Sequence, residues 1–169
     1  MPESVLDPQV ILRELARRRV DCIVIGGVSA GLQGALYNTL DLDLVHSRTP
    51  ENLERLVAAL RELGAYYREH SARRLAPKAE DLAGPGHHLL LTRAGPLDLL
   101  GVVTGGRGYD ELLPDTVELE FGTRLRVRAL KLEMVIKFKE ELAREKDRAV
   151  LPLLRAALRE QKRGGGGRR

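Results

Sequence analysis

Residues 40–46 read Leu-Asp-Leu-Asp-Leu-Val-His. An apolar–polar alternation of period two predicts a strand, because successive side chains point to opposite faces. One face then carries Leu40, Leu42 and Leu44 into a core, and the other carries Asp41 and Asp43 side by side. Two such carboxylates repel unless a cation lies between them, and hard oxygen donors suit Mg²⁺ or Mn²⁺. A half-exposed edge strand with ordinary polar residues outward gives the same pattern, so the pair gains meaning from its surroundings. Just upstream, VDCIVIGG (20–27) is a short apolar run halted by two glycines, which predicts a buried strand and a tight turn. VSAGLQGALY (28–37) follows with helical spacing and small residues. A strand, a glycine turn, a helix and an acidic strand in succession require a sheet with at least one helix packed on it.

The rest of the chain extends this order. Asp7-Pro8 predicts an N-cap and first helical residue, followed by an apolar stripe of Val10, Ile11, Leu12 and Leu15. Thr49-Pro50 opens a helix through Leu53, Leu56, Val57, Leu60 and Leu63, closed by Gly64. Residues 65–68 predict a short strand, and the polar stretch 69–86 a loop. HHLLLTR (87–93) and PLDLLGVV (96–103) predict a hairpin about Ala94-Gly95, and VELEF (117–121) and LRVRA (125–129) a second about Gly122-Thr123. TGGRG (104–108) reads as a loop between them. Helical patterns cover 130–144 and about 146–160. The expected fold class is α/β (α+β), a mixed β-sheet flanked by helices with a C-terminal helical segment. A chain of 169 residues suits one domain, here 1–161. Gly164–Gly167 predict a flexible basic tail over 162–169.

The net charge of +4 does not describe a basic face. Four of the 28 Lys and Arg residues lie in the tail, at 162, 163, 168 and 169, and the others equal the 24 acidic residues in number. A mobile basic tail can touch a phosphate backbone, or simply be a solvated end. With four Tyr, two Phe and no Trp, the chain lacks the aromatics of a single-strand stacking platform. Cys22 stands alone, which excludes an internal disulfide and a zinc site built on thiolates. A cytoplasmic setting with no membrane contact is expected, since no apolar run has the length of a span and no charged-then-apolar leader opens the chain.

Three features bear on chemistry. Gly26-Gly27 lets the backbone bend sharply and lets a ligand approach the amides at the start of the next helix, with Ser29 close by. It is not a P-loop, because Leu32 and Gln33 stand where Lys and Ser or Thr are needed, and Val28 denies it a dinucleotide fingerprint. Asp41 and Asp43 are the second feature. Asp98, in GPLDLLG, is the third: an acid among apolar residues on an expected inner strand is costly unless paired or metal-bound. If its strand lies beside 41–44, three carboxylates converge as a two-metal site requires.

The segment IGGVSAGLQGALYNTLDLDLV (25–45) resembles the signature of the polymerase-β-like nucleotidyltransferase superfamily, and GPLDLLG resembles its third-acid strand. The nearest resemblance is to the small bacterial proteins related to abortive-infection nucleotidyltransferases of toxin–antitoxin type, in which a Lys-rich helix follows the sheet, as LKLEMVIKFKEELAREKD does here. The resemblance implies the nucleotidyltransferase fold and transfer of a nucleoside monophosphate from an NTP to a hydroxyl acceptor, RNA or protein, by a two-metal mechanism with Mg²⁺ or Mn²⁺. It implies that Gly26, Gly27 and Ser29 hold the triphosphate, that Asp41 and Asp43 bind both metals, that Asp98 binds the catalytic metal and draws the acceptor's proton, and that Lys137 reaches a phosphate. A cognate antitoxin would be the protein partner. One position departs from the family: Tyr37 stands where relatives commonly have Arg, which leaves the fixed charge to another base such as Arg48, Arg93 or Lys137. The rival reading from that departure is a non-catalytic nucleotide- or partner-binding module. A transferase acting on a small molecule such as an antibiotic would need a substrate pocket, for which the chain has little spare length. Of His87-His88, alternation sends one inward, and His46 ends the acidic strand either lining a pocket or at the surface.

Overall fold

The computed structural model describes residues 4–35 and 38–165. These residues form nine strands and seven α-helices. The strands are β1 (Cys22–Ile25), β2 (Leu42–His46), β3 (Tyr66–Tyr67), β4 (His87–Thr92), β5 (Gly95–Leu100), β6 (Val102–Val103), β7 (Arg107–Gly108), β8 (Thr116–Glu120) and β9 (Arg126–Leu130). The helices are α1 (Pro8–Arg17), α2 (Gly26–Leu32), α3 (Pro50–Glu62), α4 (Ala79–Leu82), α5 (Tyr109–Leu112), α6 (Leu132–Leu142) and α7 (Glu145–Gly165). Seven strands form one sheet in the order β3-β4-β5-β2-β1-β9-β8, and β6 and β7 pair separately. The sheet is mixed as expected: β2 runs parallel to β5 and β1 parallel to β9, and the other neighbours are antiparallel.

Strand parity divides the molecule into two cores. Leu42, Leu44, Leu97, Leu99, Leu90 and Val24 point to one face, where α1, α3 and α4 pack. Val45, Ile23, Ile25 and Leu130 point to the other, against α5, α6 and α7. The α2 helix contributes to both, Val28 to the first and Ala30 to the second. The expected caps form: the Asp7 carboxylate accepts from the Val10 amide at 3.3 Å and the Thr49 hydroxyl from the Asn52 amide at 3.4 Å. Both prolines stand at the start of their helices, where a missing N–H costs nothing.

Several expectations are corrected. Leu40 does not enter the core; it is 80% exposed, because the strand starts at Leu42 and the chain is still turning at residues 40–41. The 69–86 stretch holds α4, and the glycine-rich 104–108 stretch is the turn of the small β6–β7 hairpin, with Gly105 and Gly106 at positive φ. The final helix runs on through Gly164 and Gly165 rather than giving way to a tail at 162. Tyr37 and residues 166–169 lie outside the described residues. No described helix is long and apolar enough to cross a membrane.

Candidate active site

Parallel pairing of β2 with β5 places Asp43 directly opposite Asp98, in register. Both point to the α6 face, because their neighbours Leu42, Leu44, Leu97 and Leu99 are taken by the other core. Asp41 reaches the same place from just before β2. Together with Gly26 the three acids line a cavity of about 360 Å³ between the sheet, α6 and the start of α7. Leu89, Leu100, Val103, Phe138 and Leu142 give it an apolar wall, and Lys139, Arg144 and Lys146 a basic one. The juxtaposition expected of Asp41, Asp43 and Asp98 is therefore present.

Gly26 fits this arrangement for two reasons. Its φ of +64° lies in the left-handed region, and a Cβ there would stand 2.6 Å from Asp43 Oδ2. The strand-to-helix turn thus lies against the carboxylate, and only glycine admits both the bend and the approach.

The electrostatics follow from crowding. Burial, and then the charges of Asp98 and Asp41, push the Asp43 carboxyl up to about 7. Asp43 stands opposite Asp98 in the β2–β5 pair, and two carboxyl groups so placed disfavour both being ionised at once. Burial also raises Asp98, against the opposing pull of Arg68. The Arg68 guanidinium pairs with Asp98 through Nη2 and lies 3.8 Å from Asp41 Oδ1. Its Nε donates to the Leu90 carbonyl at 3.1 Å. Arg68 opens a one-turn 3-10 helix after β3, and its side chain passes over β4 to reach β5.

Arg68 is the functional candidate that the sequence did not reveal. It falls at the edge of the segment read as loop, with no motif around it. Its pairing depends on β3 docking at the sheet edge, which only tertiary structure shows. Two of the three bases named in place of Tyr37 are engaged elsewhere: Arg48 donates to Ala83 O and Arg93 to Glu62 O.

Other expected site residues are not brought to the cavity. Ser29 is fully buried and donates to Leu130 O at 2.7 Å, so it ties α2 to the end of β9. Gly27 is one residue beyond the cavity wall, and α2 has only seven residues. Lys137 is exposed on the outer side of α6; two residues on, Lys139 lines the cavity instead. Lys139 Nζ and Arg144 both pair with the buried Asp147, at 3.1 and 2.6 Å. His87 lines the cavity, whereas His88 points beneath the sheet to the Tyr67 hydroxyl at 2.9 Å. His46 is fully buried on that same lower face and bonds Leu82 O at 3.0 Å.

Carboxylates are the hard oxygen donors a divalent cation takes, and here burial, then the neighbouring acids, drives Asp43 to hold its proton. As they stand, no group of three His, Cys, Asp or Glu side chains among the described residues could hold an ion. Arg68 takes up Asp98 and leans on Asp41.

No family model matches the chain, and no curated protein matches it. Solved structures do. The lincosamide antibiotic adenylyltransferase LnuA, solved with lincomycin bound, superposes with a TM-score of 0.62 at 14% identity, over 91% of this chain and 99% of that one. ANT(2'')-Ia, solved with adenylyl-2''-tobramycin, gives 0.58 at 16% identity, over 88% and 85%. A candidate nucleotidyltransferase from Thermotoga maritima gives 0.54 at 16%, over 93% and 97%. The chain has the fold shared by these nucleotidyltransferases.

Proposed function

We propose that the protein is a nucleotidyltransferase that moves a nucleoside monophosphate from an NTP to a hydroxyl acceptor, with Mg²⁺ or Mn²⁺ held at Asp41, Asp43 and Asp98. The observation that carries this reading is the register of Asp43 with Asp98 on adjacent parallel strands, beside Gly26 and Asp41, in one cavity of this fold. A divalent ion there would neutralise developing charge on the transferred phosphoryl group. The protein's own part is position and charge. Asp43 gives up a proton when a cation binds, since metal ligands must be deprotonated. On this reading Asp98 gives up its pairing with Arg68 to take the proton of the acceptor hydroxyl. Lys139, Arg144 and Lys146 face the acids and suit the triphosphate, taking the part expected of Lys137. The apolar wall of Leu89, Val103 and Phe138 suits a base or an apolar acceptor.

A small-molecule acceptor is not excluded by length. LnuA is matched over 99% of its own chain and was solved with lincomycin bound. The rival acceptors are RNA or a protein, as in a toxin–antitoxin pair.

The test is thermal. Mn²⁺ plus an NTP, binding the folded form alone, stabilises by about 2.7 kcal/mol at a hundredfold excess over Kd. The expected result is a higher Tm for the wild type and no rise for Asp43→Asn. If both melt alike with Mn²⁺ and each of the four NTPs, the protein is a binding module with this fold. Labelled NTPs incubated with cell extract then identify the acceptor.

A further inference from the structure

We propose that the protein carries a second binding site, away from the acidic trio, for a small amphipathic carboxylate: an apolar body of phenyl or short-alkyl size with one negative charge at its end. Three observations carry this. The first is a gap in the sheet. Strands β1 and β9 meet at a single register pair, Val24 with Ala129. Toward Cys22 and Val127 they are unpaired, and both residues line a cavity of about 280 Å³. It shares no wall residue with the acidic cavity, so this site stands apart from the transferase reading.

The second is the division of its walls. Leu12, Leu15, Val24 and Val127 make an apolar side on the α1 face of the sheet. Cys22 joins them as an uncharged wall, because burial pushes its thiol up to about 12. Alternation about Val127 sends Arg126 and Arg128 to the opposite face, where Tyr109 of α5 and Glu118 of β8 complete the walls. Apolar walls with a few polar groups at one end fix both the body and the orientation of a small ligand.

The third is charge. Four walls are charged: Asp21, Glu118, Arg126 and Arg128. Asp21 pairs with Arg55, which reaches it from outside at 3.6 Å, and Glu118 pairs with Arg128 at 2.9 Å. Arg126 is left over. It stands 3.6 Å from Glu118, beyond hydrogen-bond reach, and its side chain is 67% exposed. Glu120, opposite it in register, is exposed and not a wall. Tyr109 adds a neutral donor, since burial and then the Asp21 charge raise its phenol. A guanidinium and a phenol together suit one carboxylate, through charge-assisted hydrogen bonds.

Phenylbutyrate, titrated into the protein by calorimetry, tests this. The expected result is one equivalent bound per wild-type chain and none by Ala16→Phe, whose ring would enter the cavity from an exposed wall position on α1. Arg126→Gln should bind roughly tenfold more weakly. Phenylbutanol, with the same body and no charge, should bind the wild type more weakly by a similar factor. No binding by the wild type overturns the proposal, and so does binding that Ala16→Phe leaves unchanged. The alcohol binding as tightly as the acid overturns the carboxylate as the ligand class. If Ala16→Phe does not fold, as its circular dichroism would show, Arg126→Gln decides: unchanged affinity there overturns the site.

Discussion

Gly26 and Asp43 are a single unit, although a helix and a turn separate them in sequence. The glycine's left-handed backbone and its missing side chain both serve the carboxylate beside it. Gly26→Ala should therefore do two things. The forced φ should cost about 1–3 kcal/mol of stability, measured by urea unfolding. The new methyl would stand 2.6 Å from Asp43 Oδ2, and should push the carboxylate aside and remove the Mn²⁺-dependent rise in Tm. A variant that unfolds earlier but keeps the full rise would show the glycine to be a bend and nothing more. At this scale the sequence was informative where residue type and spacing are themselves the constraint. Asp43, Asp98 and Gly26 could be found because an acid in an apolar strand and a glycine after one are improbable without a reason. Lys139 lines the cavity where the sequence suggests Lys137, because helical spacing gives a face only once the packed side is known. Ser29 was misread because a hydroxyl next to a glycine turn serves a backbone carbonyl as readily as a phosphate.

The joint between α6 and α7 is the element on which the basic wall depends. Ala143 adopts a left-handed conformation at the end of α6, and α7 starts two residues later. Asp147 then turns back, wholly buried, to bond both Lys139 and Arg144. Its pairing with those two bases outweighs burial and holds its carboxyl below the usual range. A carboxylate with a depressed pKa stabilises the fold above its unfolded value of about 3.9, and that contribution disappears as pH falls through the lower folded value. Asp147→Asn should cost about 1.5–3 kcal/mol at pH 7, as for a hydrogen bond to a charged group. The gap between wild type and variant, read from urea midpoints, should be constant from pH 7 to about pH 5 and narrow below pH 4. A gap that persists undiminished at pH 2.5 would mean that shape, not charge, holds the joint. Nothing in the sequence pointed to Asp147, since an acid among Arg144, Lys146 and Arg148 reads as part of a solvated helix face. The short elements α4, α5 and the β6–β7 hairpin were unreadable for a related reason. Each is stabilised by what it packs against, as Leu82 and Leu112 show by being fully buried, and not by its own periodicity.

Across the whole molecule, the two-core layout keeps stability and site chemistry apart. Leucines on one side of β2 and β5 belong to the α1–α3 core, and acids on the other side line the cavity. Leu99→Ala should cost about 2–5 kcal/mol, as for a fully buried leucine, yet leave the Mn²⁺ and NTP shift in Tm at its wild-type size. A shift lost together with stability would show that the two sides of the sheet are coupled. The order of long elements was legible because each has a period and a stop signal of its own. The hairpin pairs β4–β5 and β8–β9 were legible too, but the pairing of β2 with β5 was not, since it is a tertiary outcome.

That pairing also has a consequence for how the protein comes into being. Asp43 leaves the ribosome early, with β1 already made to pair with β2, but its parallel partner β5 is not made until β3 and β4 have been synthesised. Parallel strands joined across such an intervening stretch form slowly, because loop closure precedes any reward from contact. The acids of a nascent chain therefore stay apart for most of synthesis. Whatever needs the three acids together must wait for synthesis to pass Asp98, and chains interrupted before it would be released without the cavity.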